Sequence, residues 1–222
     1  MSVSVVKYLR DESGATFVEF TLVVVTFLTI VLGFVDFSHV FLQWNSATKA
    51  VQLGARLAAV SDPVPAGLRN VTGLSATVLP GMAMPAFSYQ CVSTAADGST
   101  GTCTGTTSLS YSAQAMRDIV FGRGRTNSSF CEVKPATDEA KRRVGMCNIF
   151  SRIDPRNVVV KYEYTGLGYA GRPGGPVPTI TVSLTGLTFD YVFLGDLLGL
   201  SSFALPGFAT TVTGEDLKLA GT

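Results

Sequence analysis

From Phe20 to Val35 the chain reads FTLVVVTFLTIVLGFV, sixteen residues without a charged side chain. Beyond Asp36 it continues FSHVFLQW to Trp44. A helix needs about 20 mostly apolar residues to cross a hydrocarbon core about 30 Å thick. The span from Phe17 to Leu42 meets that need if Glu19 and Asp36 lie near its two ends. At 1.5 Å rise per residue the two carboxylates stand about 26 Å apart along the axis. The reading is a single membrane-spanning helix. A secretory signal peptide is the competing reading, with a basic head, a short apolar core and a small-residue cleavage site behind it. Here the core is longer, the head carries Asp11 and Glu12, and Ser46-Ala47 lies in sequence that continues as helix.

From Ser38 to Val60 the chain contains no proline and one glycine. Val40, Trp44, Ala47, Val51, Gly54 and Ala58 recur every three or four residues, against polar Gln43, Lys49, Gln52 and Arg56. That spacing predicts an amphipathic helix. Asp62-Pro63 ends it, because proline disfavours helical backbone in the residue before it. One helix is therefore expected from Ala15 to Val60, about 70 Å long. Its first half is apolar all round, and its second half has one face to cover. The small residues Ala47, Ala50, Gly54, Ala55, Ala58 and Ala59 let a neighbouring element approach closely.

The chain has 222 residues, 46% hydrophobic and 15% charged, enough for one ordinary domain with an appendage. A net charge of +1 gives no basic surface for nucleic acid. Lys141, Arg142 and Arg143 follow Asp138 and Glu139 and read as a solvated mixed-charge segment.

The short leader in front of the apolar run has its own logic. A peptidase that cuts ahead of an apolar segment, rather than behind it, leaves the helix attached. Gly14 followed by Ala15, with Glu19 fifth from the new N-terminus and then Phe20, is the arrangement of type IV prepilins. SGATFVEF resembles the processing site of the Flp/Tad branch. ATKAVQLGARLAAV, which closes the helix, resembles the TadE-like pseudopilins (TadE, TadF and TadG relatives), and GFATTVTGEDL resembles their tail. The likeness covers the first sixty residues well and the last fifteen loosely.

The resemblance implies a pilin-like α+β fold, a long N-terminal helix on a small antiparallel sheet. The expected organisation is a leader over 1–14, the helix over 15–60 with its span at about 17–42, and a periplasmic, loop-rich β domain over 61–222. It implies a minor pilin or pseudopilin of a Tad-type pilus, cut after Gly14 and contributing to initiation, tip or adhesion. The expected partners are the inner membrane, a prepilin peptidase and other major and minor pilin subunits. In the family's scheme Glu19 of one subunit pairs with the Ala15 amine of its neighbour and sets the axial register. Two other readings stay open: an uncleaved, signal-anchored periplasmic binding or envelope protein, and a minor pseudopilin of a type II secretion system. Lys7 and Arg10 before the span and Lys49 and Arg56 beyond it favour a cytoplasmic N-terminus only slightly. No mechanism follows from the position of Asp36.

Four cysteines, Cys91, Cys103, Cys131 and Cys147, lie beyond the span and allow three pairings. Local pairing, Cys91 with Cys103 and Cys131 with Cys147, closes two short polar loops and fits an oxidising compartment such as the periplasm. Unpaired buried thiols are an alternative. Zinc would want closer cysteine pairs, and the sole histidine, His39, lies on the membrane helix.

Alternation in Asn157–Tyr164, Thr179–Tyr191 and Gly207–Thr213 predicts three strands in an antiparallel meander, with a bulge or bend at Gly186 where the apolar phase shifts by one residue. Tyr111–Phe121 and Leu194–Leu200 read as short helices, and residues 66–110 give no clear pattern. One histidine leaves little room for Ser-His-Asp or Cys-His chemistry, and no phosphate-binding glycine loop is present. Gly122-Arg123-Gly124-Arg125 lacks the strand and helix such a loop needs. Asp190 with Asp196, and Glu215-Asp216, give no paired-carboxylate site. No enzyme activity, cofactor or metal is expected.

Overall fold

A computed structural model of the chain describes residues 13–124, 131, 143–189, 191–193, 195, 199, 203–204 and 207–214. The basic cluster at 141–142, the short helix expected at Leu194–Leu200, most of the leader and the Glu215-Asp216 pair fall largely or wholly outside them. Helix α1 runs unbroken over Ser13–Val60. After it come β1 (Pro65–Ala66), β2 (Ser88–Ser93), β3 (Gly101–Gly105) and β4 (Ser110–Tyr111). Helices α2 (Ala113–Val120) and α3 (Met146–Ile149) follow, then β5 (Val158–Glu163), β6 (Thr179–Leu184), β7 (Thr188–Phe189), β8 (Phe203–Ala204) and β9 (Phe208–Thr213). The chain divides into two compact units, one of residues 1–42 with 189–203, the other of 43–188 with 204–222.

The second unit is built on an antiparallel sheet of order β3-β2-β5-β6-β9. Its register stacks apolar side chains in rows on one face. Tyr89 faces Tyr162, which faces Ile180, which faces Val212. Cys103, Cys91, Val160, Val182 and Thr210 make the next row, and Val158, Leu184 and Phe208 a third. A period of two puts these residues on one side of each strand. Along β5 and β6 they are buried while Lys161, Glu163, Thr181 and Ser183 are only half-covered.

The end of α1 joins this core. Ala47, Ala50, Val51, Ala55 and Ala58 are buried with the sheet's inner residues, whereas Lys49, Gln52 and Arg56 are exposed. Small side chains are required here. A Cβ at Gly54 would lie 2.4 Å from Met146 Sδ, so α3 sits directly on the helix backbone. Trp44 meets Phe208 edge to face with ring centroids 4.6 Å apart. The helix stops at Val60, whose carbonyl accepts a hydrogen bond from Arg123. A basic side chain thus covers one of the C-terminal carbonyls that a helix leaves unbonded.

Three features add to the sequence expectation. The stretch 66–110 contains the β2–β3 hairpin, which completes a five-stranded sheet rather than a three-stranded meander. At Gly186 the chain bends, the second of the two expected forms, and does not bulge within one strand. It leaves the sheet after Leu184 and re-forms as β7, with Gly186 at φ 69° and the Thr185 N–H donating to the Asn157 carbonyl. The Gly122 region is a backbone crossing: a Cβ at Gly122 would lie 1.8 Å from the Arg143 carbonyl oxygen, and one at Gly145 would lie 2.4 Å from Gly122 N.

Two disulfides tie the unit together. Cys91 and Cys103 join neighbouring strands at a Cα separation of 4.1 Å, and Cys131 joins Cys147 on α3 at 5.2 Å. In the chain-entropy account, closing loops of this length contributes about 3 kcal/mol each.

Two expectations follow. Ala50→Leu forces extra volume into a fully packed contact and should lower stability by about 1–3 kcal/mol, whereas Gln52→Leu on the exposed face should change it by less than about 0.5 kcal/mol. Urea titration of the detergent-solubilised chain separates the two. The second concerns Tyr162, whose buried Oη accepts the Val64 N–H at 3.2 Å. Tyr162→Phe strands that donor and should cost about 1–3 kcal/mol at neutral pH. Burial holds this phenol above its ordinary value, against the opposing effect of the Val64 N–H. As pH rises the unfolded chain therefore ionises first, so the native protein loses stability from about pH 10 upward. Thermal melts across that range should show the phenylalanine variant losing less.

Candidate functional site

The first part of α1 leaves its large apolar side chains uncovered. Phe17, Val18, Phe20, Leu22, Val23, Val25, Phe27, Ile30, Phe34, Phe37, Phe41 and Leu42 are all exposed, and none of its most apolar stretch is buried. In water such a surface would drive association; in lipid it is what a helix needs. The polar atoms within it are provided for. Thr21, Thr26, Thr29 and Ser38 each donate a hydroxyl hydrogen bond to the carbonyl four residues back, at 2.6, 2.8, 2.8 and 2.8 Å. A hydroxyl bonded to its own helix places no unpaired donor in hydrocarbon. Three threonines can therefore sit in an apolar run without breaking it.

Gly14, Glu19 and Phe20 are on the first turns of this helix, all exposed, and Ala15 lies in the same turns. Among the described residues, none beyond the chain neighbours and the local helix backbone comes within 4 Å of where a Gly14 Cβ would lie. Glu19 borders a shallow groove formed with Leu22, Val23, Thr26, Phe27 and Ile30. Spacings of three and four put these residues on one helix face. The face therefore presents a single carboxylate at one end of an apolar strip. One elementary charge at the edge of such a strip can pair with a cation brought by another chain, and the strip can lie against that chain's helix.

The cysteine candidates are elsewhere. Cys91 and Cys147 belong to the core of the second unit, with Cys103 and Cys131 packed against it. His39 is exposed on α1. Among the described residues no group of three His, Cys, Asp or Glu side chains is placed to hold a metal ion.

Asp36 is the residue that sequence reasoning left without a part. It is 1% exposed on a helix whose neighbouring side chains are bare. Its Oδ1 accepts the Val192 N–H at 2.8 Å and the Phe193 N–H at 3.1 Å, and its Oδ2 lies 3.2 Å from the Phe193 nitrogen. A buried carboxylate must find donors, and that rule was the available signal. The donors lie 156 and 157 positions away, which no local pattern could give.

No curated protein and no solved structure matches the chain. The family model described as TadE-like protein matches residues 14–56. That stretch begins at Gly14, takes in Glu19, the exposed apolar run and Asp36, and closes within the small-residue face packed on the sheet. Residues 14–56 of the chain are thus a TadE-like segment.

Proposed function

We propose that this chain is a minor pilin or pseudopilin of a Tad-type pilus assembly system. Helix α1 anchors it once in the bacterial inner membrane, N-terminus cytoplasmic, with the disulfide-bonded sheet unit in the periplasm. A prepilin peptidase cuts after Gly14 and frees the Ala15 amine. The processed subunit joins other pilin subunits, with the sheet unit available for initiation, tip or adhesion contacts. The observation that carries the reading is Glu19, one carboxylate at the mouth of an exposed apolar helix and five residues beyond Gly14, inside the TadE-like segment.

The physical role of Glu19 follows from cost. A carboxylate taken into an apolar contact needs a counter-charge, and removing one member of a buried pair costs about 3–5 kcal/mol. The Ala15 amine of an adjacent subunit supplies that charge, and the match sets how far one helix slides along the next. Cleavage creates the cation, so processing and assembly become linked steps.

Terminal sequencing of the protein from its native membranes tests the reading. The expected chain begins at Ala15; one that begins ahead of Gly14, with the peptidase present, favours an uncleaved membrane-anchored envelope protein instead. In addition, Glu19→Ala should leave the protein in the membrane fraction while its co-purification with the major pilus subunit falls by about tenfold or more, the effect of losing over ~1.4 kcal/mol. Wild-type recovery would remove Glu19 from the mechanism.

A further inference from the structure

We propose that the backbone around Tyr191–Phe193, docked on the membrane helix by the Asp36 carboxylate, is a second lipid-contacting element that presents Val192 and Phe193 to the outer edge of the hydrocarbon. The inference rests on α1 spanning the bilayer and is independent of pilus assembly.

Depth comes first. Asp36 is seventeen residues beyond Glu19. With Glu19 at one boundary, Asp36 stands about 26 Å along the axis, just short of the far boundary of a core about 30 Å thick. Hydrogen bonds of 2.8 and 3.1 Å fix the Val192 and Phe193 nitrogens at that same level.

Polarity comes next. Residues 192 and 193 are bends, not helix or strand, so their N–H groups have no ladder to join. Irregular backbone is tolerated at membrane depth only where its polar groups are bonded. A carboxylate there is equally costly unless it has donors. Each group answers the other's need, and charge-assisted bonds of this kind are the stronger ones. A carboxylate at the boundary could instead extend into the headgroups, but Asp36 is turned inward and covered.

The side chains then decide the occupant. Val192 and Phe193 remain 48% and 42% exposed, beside a helix on which Phe34, Val35 and Phe37 are exposed at 69%, 47% and 69%. All five belong to the same compact unit. Water would meet an apolar surface anchored in place by a buried charge. Lipid meets a continuation of the surface α1 already offers it. Tyr191, half-buried, is of the residue type that collects at membrane interfaces.

The test uses the full chain in phosphatidylcholine and phosphatidylglycerol vesicles, with Phe193→Trp as the fluorescent reporter and Trp44→Phe to remove the native indole. The expected result is blue-shifted emission from the Phe193→Trp indole. Lipids brominated high on the acyl chain should quench it more than lipids brominated deep, and aqueous iodide should have little effect. Asp36→Leu removes both acceptors and should shift the emission red and open the indole to iodide; Asp36→Asn, which keeps one acceptor oxygen, should not. Iodide quenching with Asp36 intact overturns the inference. So does shielding from both quenchers that grows with protein-to-lipid ratio, which would assign the surface to a second copy. Unchanged lipid quenching in Asp36→Leu overturns Asp36 as the anchor. Phe27→Trp in the same background serves as the control. If iodide reaches that indole, the spanning helix fails as well; if it stays in lipid while the Phe193→Trp indole is in water, only this inference fails.

Discussion

The contact between small side chains on α1 and the inner face of the sheet is what the second unit is organised around. Ala47, Ala50, Ala55 and Ala58 are fully buried, each contributing one methyl group. Their individual hydrophobic gain is modest. Their value is geometric: they let helix backbone, α3 and three rows of sheet side chains share one close-packed volume. Larger residues would raise transfer energy and lose that fit. Met116 and Ile119 of α2, and Phe121 just after it, are buried in the same core, and the disulfides close the loops around it.

The same helix shows how one chemical group takes two fates. Glu19 and Asp36 are both carboxylates within an apolar sequence. Glu19 is exposed beside an apolar strip, and Asp36 is sealed beneath backbone donors of its own chain. The first lies at an open surface. The second has its acceptors bonded by backbone N–H groups, and its effect is to hold a distant segment in place. Their difference lies in what the rest of the chain brings to each position.

That difference also marks what could be read from sequence. The long helix was legible because its signals are local: an unbroken apolar run, a period of three to four, and a proline to stop it. Strands β5, β6 and β9 were legible because Val158, Val160 and Tyr162, or Ile180, Val182 and Leu184, alternate cleanly. The β2–β3 hairpin was not. Its buried side chains, Tyr89, Cys91 and Ser93, are few and partly polar, and GTCTG carries almost no apolar content. Those strands exist because Val160 and Tyr162 stand opposite them and a disulfide crosses the pair, and both are contacts made at a distance. Arg123 as the partner of the Val60 carbonyl, and the Gly122–Gly145 crossing, were hidden for the same reason. The position of Gly14 and Glu19 on the first turns of the helix was legible from spacing, whereas the partners of Asp36 were not.

The paired cysteines also keep a history. Thiols in the bacterial cytoplasm are held reduced, and the two bridges form only where oxidants act. If the sheet unit is carried across the membrane as proposed, the redox state of four sulfur atoms becomes a record of the crossing. A molecule with all four thiols free has its core still on the synthesis side; one with both bridges has completed passage, whatever has happened at its N-terminus. On the proposed reading, export and trimming would leave separate chemical marks, one on the sulfur atoms and one at the N-terminus, and a single purified population could be sorted by both.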